Sequence, residues 1–328
     1  MRQWIRDIGT AFLMGVVVPA VMLRLGTVFL PEPEEPREVQ ETQVSETVET
    51  EASQQTQWIL LRQEDGTVEL VQLEEYLVGA VLGEMPASFE TEALKAQAVA
   101  ARTYAARAYE TGGKHGDGSV CTNYACCQAY LTEEVYRNRG GSAESVAKVR
   151  SAVLATSGQV LTYEGALIEA TYFSCSGGVT EDAVAVWGTD VPYLRSVESP
   201  GEEGASVYTD SKTFTPEEFQ AALGIQLSGS PEEWFGAVTY TNGQGVDTLS
   251  IGRTPWSGTK LRQKLGLRST MFWVEVQANS ICFHTRGYGH RVGMSQYGAD
   301  AMARSGADYT QILGHYYPSS SLESWVRE

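Results

Sequence analysis

Apolar and polar positions follow three regimes along the chain. Ile8 to Leu23 holds no charged residue, and apolar character resumes from Leu25 to Leu30 after the interruption at Arg24. A helix crossing a bilayer needs about 20 mostly apolar residues, so residues 1–30 predict a transmembrane anchor if Arg24 snorkels to the headgroups. Arg2 and Arg6 precede the run and acidic residues follow it. The positive-inside rule then keeps the N-terminus cytoplasmic and puts everything after residue 31 outside the membrane. No small-x-small cleavage site closes the run, which favours a retained single-pass anchor over a removed signal peptide. Residues 31–56 are a second regime, with three prolines, eight Glu and no aromatic side chain. Such a segment cannot bury a core and reads as an acidic disordered linker.

Regular periodicity begins at residue 57. Gln57–Leu70 alternates, predicting a strand pair turned at Asp65-Gly66. Leu73, Leu77, Ala80 and Glu84 follow at spacings of 4, 3 and 4, which is one face of a helix, and Pro86 stops it. A second helix is expected over Glu90–Tyr109, with Gly112-Gly113 beyond its end, then a loop over 114–129. A third helix over Ala143–Thr156 leads to strands at Gln159–Tyr163 and Leu167–Phe173, turned at Glu164-Gly165. Residues from about 200 to 285 read as a second lobe. It has a helix starting at Thr215-Pro216, a short helix over Lys260–Leu265 closed by Gly266, and a hairpin of Phe272–Val276 with Ile281–Thr285. Two helices close the chain, Ser295–Arg304 and Tyr309–Tyr316, the second with Asp308 and Gln311 as a capping box. Without a βαβ period the fold class is α+β, a two-lobed domain over 57–328.

Composition narrows the function. The chain has 328 residues, 42% hydrophobic and 10% aromatic, which excludes a wholly disordered protein. Its formal net charge of −17, with no basic stretch, argues against a nucleic-acid partner.

Three groups of residues could carry chemistry. Glu84 continues an apolar stripe, where a carboxyl is costly unless paired, protonated or facing a cleft. Apolar surroundings raise a carboxyl pKa, as a general acid working near neutral pH requires, although a structural pairing would explain the position as well. Lys95 and Arg102, seven residues apart, fall on one side of the second helix and could line a cleft or form a solvated face. His115, Cys121, Cys126 and Cys127 lie within thirteen residues. A Cys₃His set suits structural zinc, with a disulfide as the rival outside the cytoplasm. Finally, TYFSCSGG (171–178) and GYGHRVGMSQYG (287–298) are Gly-rich turns with Ser and Tyr, typical of ligand-contact loops. Cys175 with His290 is a candidate Cys–His nucleophile pair.

The segments LEEYLVGAVLGEMPASFETEALKAQAVAARTYA (73–105), ATYFSCSGGVTEDAVAVW (170–187), PYLRSV (192–197), GHRVGMSQYGADAMA (289–303) and ILGHYYP (312–318) resemble the SpoIID/LytB family across 57–328. The resemblance implies a lytic transglycosylase that cleaves the MurNAc–GlcNAc β-1,4 bond of peptidoglycan to 1,6-anhydromuramyl products during forespore engulfment. It implies Glu84 as the catalytic acid, and Lys95 and Arg102 as substrate contacts. Tyr172, Ser174, Ser176, Gly177 and Gly178 would contact saccharide, with His290, Gln296 and Tyr297 from the later segment. Phe173 stands where relatives often carry His and is given no polar role. Sporulating clostridial members bind zinc, which implies one structural Zn²⁺ at His115, Cys121 and Cys127, with Cys126 where a second His occurs. The implied partners are glycan strands stripped of stem peptides, an amidase (stage II sporulation protein P) and stage II sporulation protein M, and strands of such length imply a long open groove between the two lobes. The implied location is the mother-cell engulfing membrane, with the catalytic domain facing the intermembrane space. Some relatives enhance an amidase, so a non-catalytic glycan-binding role stands beside the enzymatic one, as does a Cys/His amidase-peptidase.

Overall fold

A computed structural model describes residues 56–277 and 279–325. The expected anchor over 1–30 and the linker as far as residue 55 lie outside the described residues. Among the described residues no helix is long and apolar enough to cross a membrane.

The fold is α+β. Strands β1 (Trp58–Arg62) and β2 (Val68–Gln72) form the expected antiparallel pair. Gly66 takes φ +88° in their turn, and Asp65 Oδ1 accepts from the Thr67 amide at 2.9 Å. β2 runs directly into helix α1 (Leu73–Glu84), which has Glu74 and Glu75 in its first turn and ends just before Pro86. Its buried residues include Leu73, Tyr76, Leu77, Val78, Ala80, Val81 and Leu82, so it is enclosed on nearly every side rather than on one stripe. Helix α2 (Thr91–Thr111) follows and ends on Gly112 at φ +85°. The segment expected to be loop contains one short strand, β3 (Ser119–Cys121), which pairs parallel to β1.

Helices α3 (Glu133–Asn138) and α4 (Ala143–Ala155) come next, the latter capped by the Ser142 hydroxyl on the Ser145 amide at 3.1 Å. The strand expected at Leu167–Phe173 is split. β5 (Ala166–Leu167) pairs with β4 (Gln159–Tyr163), whereas β6 (Tyr172–Phe173) pairs with β13 (Met294–Ser295). After α5 (Ala183–Trp187) come β7 (Thr209–Phe214), α6 (Pro216–Leu223), β8 (Phe235–Tyr240), β9 (Val246–Ile251) and β10 (Thr254–Ser257). They are followed by α7 (Gly258–Leu265), β11 (Met271–Gln277) and β12 (Ser280–Arg286). The expected helix start at Thr215-Pro216 forms a capping box with Glu218 on α6. The expected box of Asp308 with Gln311 forms on α9 (Tyr309–Tyr316). α8 (Gln296–Arg304) precedes α9, and β14 (Ser321–Ser324) pairs with β4.

Buried apolar side chains of the described residues form two clusters. The larger surrounds α2, whose alanines let α1, α4, α8 and α9 approach it closely. The smaller is aromatic: the ring of Phe283 meets those of Phe214, Phe219, Phe235 and Phe272 at 5.6–6.3 Å. Arg291, wholly buried, holds the two parts together. Its Nε donates to the Ser176 carbonyl at 2.8 Å and Nη2 to the Val179 carbonyl at 2.9 Å. Nη2 also donates to the Gly243 carbonyl beyond β8, and Glu181 lies 3.9 Å from Nη1.

Arg102 corrects one expectation. Its side chain has no exposed surface and forms a bidentate pair with Glu74, Nη2 to Oε2 at 2.6 Å and Nε to Oε1 at 3.0 Å. It also donates to the carbonyls of Val153 and Gln159. Every nitrogen of the fork is used to tie α2 to α1, α4 and β4, so none is left for a ligand. Glu74 lies ten residues before Glu84 on α1, about 15 Å along the axis.

Two glycines position the site. A Cβ on Gly79 would lie 2.3 Å from the Tyr130 ring, and one on Gly83 would lie 2.8 Å from the backbone of Ala129 and Tyr130. The segment 129–131 thus lies directly on α1, with the Leu131 amide donating to the Gly79 carbonyl at 3.0 Å. Gly83→Ala should cost about 1–3 kcal/mol, since backbone cannot yield as a flexible side chain can. A methyl group on Gly314 in α9 would meet nothing within 4 Å, so Gly314→Ala should instead add about 0.5–1 kcal/mol. Urea unfolding of both variants checks the opposite signs.

Candidate active site

Glu84 is the last residue of α1, half-buried where the helix meets segment 129–131. Its Oε1 accepts the Ala129 amide at 2.5 Å. Burial raises its pKa above the usual carboxylate value, and hydrogen bonds from Ala129, Tyr172 and Gln296 oppose that rise without cancelling it. The donors are themselves fixed. Tyr76 Oη donates to Gln128 Oε1 at 2.7 Å, and Gln128 Nε2 donates to Tyr172 Oη at 2.8 Å. Gln296 Nε2 donates to Gln97 Oε1 at 3.4 Å, and the buried Gln97 Nε2 has no partner among the described residues. Among the described residues no other carboxylate contributes to the shift at Glu84. Beside it opens a cleft of about 490 Å³, lined by Glu84, Met85, Pro86, Ser88, Tyr136 and Ser145.

The structure thus joins Tyr172 and Gln296 to Glu84. His290 meets the backbone of Tyr172, with its ring 5.6 Å from Phe173 and 5.4 Å from Trp187. Its Nδ1 accepts the Val292 amide at 3.1 Å. Burial first, then the charges of Arg262 and Lys114, push its pKa down to about 4. The imidazole is therefore neutral near pH 7. Since the folded value lies below the ordinary 6.5, stability is lost as pH falls from about 6.5 towards 4. Tyr297 packs edge-on against Phe89, and its amide donates to the Ser174 carbonyl at 3.0 Å.

The SCSGG turn is built differently from the expectation. Ser176 is buried, and its amide and hydroxyl both donate to Glu202 Oε2, at 2.9 and 2.8 Å. The Gly177 amide adds a third bond to that oxygen at 3.0 Å. Ser176 and Gly177 therefore spend these donors on a buried carboxylate and not on an open groove. Gly178, at φ +110°, borders a separate polar cleft of about 670 Å³ with Asp182, Arg195 and Asn242. The Cys–His pairing fails as well. The fully buried Cys175 thiol donates to Glu202 Oε2 at 3.2 Å, and burial together with Glu202 pushes its pKa up, away from a thiolate. Lys95 is partly exposed, pairs with Glu92 at 2.6 Å and covers the Tyr309 ring.

Sequence reasoning did not single out Gln97, Gln128, Ala129 or Glu202. The Gly79–Gly83 spacing on one helix face is the signal that another backbone crosses there. Gln97, Gln128 and Glu202 carry no local signal.

His115, Cys121, Cys126 and Cys127 converge, with all donor atoms within 4.8 Å of one another. The five cysteines are unpaired, so the disulfide alternative does not form. His115 Nε2 lies 3.5 Å from Cys127 Sγ and 3.8 Å from Cys126 Sγ, and the two sulfurs are 3.9 Å apart. A tetrahedral zinc with Zn–S of about 2.3 Å and Zn–N of about 2.0 Å has edges of about 3.5–3.8 Å, so these residues fit such an ion. The cluster leads through Cys127 straight into Gln128 and Ala129, the residues that position Tyr172 and Glu84.

Glu84, Ala129 and the His/Cys cluster all fall within residues 62–163, which match the family model described as SpoIID, stage II sporulation protein. The stage II sporulation protein D of Bacillus amyloliquefaciens is 41% identical over 261 residues, 78% of this chain and 75% of that one. Its counterpart in Bacillus subtilis (strain 168) is 41% identical over 266 residues, 80% of this chain and 77% of that one. The amidase enhancer of Bacillus subtilis (strain 168) is 30% identical over 303 residues, 76% of this chain and 40% of that one. With this extent of identity, the chain belongs to the stage II sporulation protein D family.

Proposed function

We propose that this protein is a lytic transglycosylase acting on peptidoglycan glycan strands, with Glu84 as its acid and base. The carrying observation is a single desolvated carboxyl with a raised pKa, no second carboxylate bearing on it, and donors ready for its anion. Hydrolytic glycosidases use two carboxylates, one as acid and one to attack or to activate water. An internal nucleophile removes the second requirement. Protonated Glu84 gives its proton to the glycosidic oxygen as the C1–O bond of the muramic unit breaks. The 6-hydroxyl of that unit then bonds to C1, and Glu84 takes its proton, closing a 1,6-anhydro ring. The Ala129 amide engages Oε1, which favours Oε2 as the proton carrier, and Tyr172 and Gln296 support the carboxylate after it has ionised.

The metal reading goes with it. His115, Cys121, Cys126 and Cys127 would hold one Zn²⁺ through a full set of protein ligands, supplying folding free energy rather than catalysis. A substrate in the cell wall agrees with the anchor expected at residues 1–30 and with a domain facing outward. The amidase-enhancer relative favours a second reading, in which the domain binds glycan and recruits an amidase without cutting.

Glu84→Gln should lower release of anhydromuramyl ends by about 100-fold or more while leaving the circular dichroism spectrum unchanged. Full activity in that variant would sink the assignment, and an absence of anhydro ends from the unaltered protein would favour the enhancer reading. Tyr172→Phe removes a donor to the anion, so the Glu84 pKa rises further. The alkaline limb of the pH–rate profile should move to higher pH in that variant. Protein purified without added metal should carry about one zinc per chain, and chelation should lower its unfolding temperature.

A further inference from the structure

Gln97 lies on α2 among Ala93, Leu94, Ala100 and Ala101, all fully buried, and is fully buried itself. Among the described residues its side chain makes one hydrogen bond, accepting at Oε1 from Gln296 Nε2 at 3.4 Å, while its own Nε2 has no partner there. One bond of that length is weak compensation for taking a whole amide out of water. An apolar side chain would suit this face of α2 better, so the packing of the helix does not account for a glutamine.

The orientation of its neighbour does. Gln296, the first residue of α8, is also buried, and its amino group serves two acceptors, the Gln97 carbonyl and the Glu84 carboxylate. A primary amide has two N–H donors, one for each. Turned over, Gln97 would set its amino group against that of Gln296, donor against donor. Gln296 would relieve the conflict by turning over as well, and its carbonyl would then face Glu84 and oppose the anion. The observed orientation avoids this, and it is Gln97 Nε2 that is left unpaired instead. Local conflicts of this kind persist in folded proteins where a site requires them.

We propose that Gln97 is a positioning residue of the Glu84 site, whose carbonyl keeps the Gln296 amino group turned toward the carboxyl. Gln97 neither lines the cleft beside Glu84 nor bonds to the carboxyl, so it acts through Gln296. An amide held this way stabilises the anion that Glu84 becomes once its proton has left, and its aim is fixed before the substrate arrives. The proposal rests on the acid-and-base reading of Glu84 above and adds the residue that orients one of its donors.

The full chain is titrated by infrared spectroscopy, with the protonated Glu84 carboxyl identified as the band that Glu84→Gln abolishes, and the pH–rate profile is recorded beside it. Gln97→Met is close in volume but has no amide carbonyl. It should raise the Glu84 midpoint and move the alkaline limb of the rate profile to higher pH, as should Gln296→Met. Gln97→Met added to Gln296→Met should shift neither any further. Gln97→Asn keeps the amide but falls one methylene short of Gln296, and it gives the same reading should the Met variant not fold. A midpoint unmoved by substitution of Gln97, or moved as far in the absence of Gln296 as in its presence, overturns the assignment of Gln97 alone. A midpoint that rises while the rate profile stays fixed upholds the role of Gln97 and overturns Glu84 as the acid.

Discussion

A carboxyl at the end of an enclosed helix must either be given donors or give up its charge, and the architecture around Glu84 does some of each. One backbone amide, from Ala129, reaches Oε1 because two glycines let segment 129–131 lie on α1. Two side-chain donors complete the set, yet burial still prevails and the acid keeps a raised proton affinity. More donors would leave a permanent anion, whereas fewer would leave an acid unable to stabilise its own conjugate base. The network from Tyr76 through Gln128 to Tyr172 holds that balance in place.

The same segment links two features that are separate in sequence. Cys127 is followed at once by Gln128 and Ala129, so the His/Cys cluster adjoins along the backbone the residues that meet Tyr172 and Glu84. A structural metal there would act on the chemistry only by holding the backbone still.

Much of the fold was legible because the signals are local. The α1 stripe ends at Pro86, and the helix starts at Thr215 and Asp308 and the glycine ends of α2 and α7 fall where the residue types require. Glu84 was legible for the same reason, as a charge out of place on an apolar face. Pairings across long stretches of chain were not. The strand at 167–173 splits because Tyr172 and Phe173 find Met294 and Ser295, more than a hundred residues later. Arg102 resembled a ligand-facing cation because its partner, Glu74, sits on another helix and leaves no mark in the Ala/Gln context of α2. Ser176 and Gly177 resembled saccharide contacts, and only the fold shows that Glu202 takes their donors. The β8–β9–β10 sheet was missed because the side chains of β8 are largely exposed and offer no apolar alternation to read.

Arg291 grips the carbonyls of Ser176, Val179 and Gly243, which belong to the main chain and are present whatever side chains those positions carry. Side chains that face solvent on these loops can therefore change without releasing the grip, although Gly243 itself has no room for a Cβ, which would lie 2.3 Å from the Thr180 carbonyl oxygen. The distance from the 176–179 turn to Gly243 is thus set by one guanidinium that reads main chain alone.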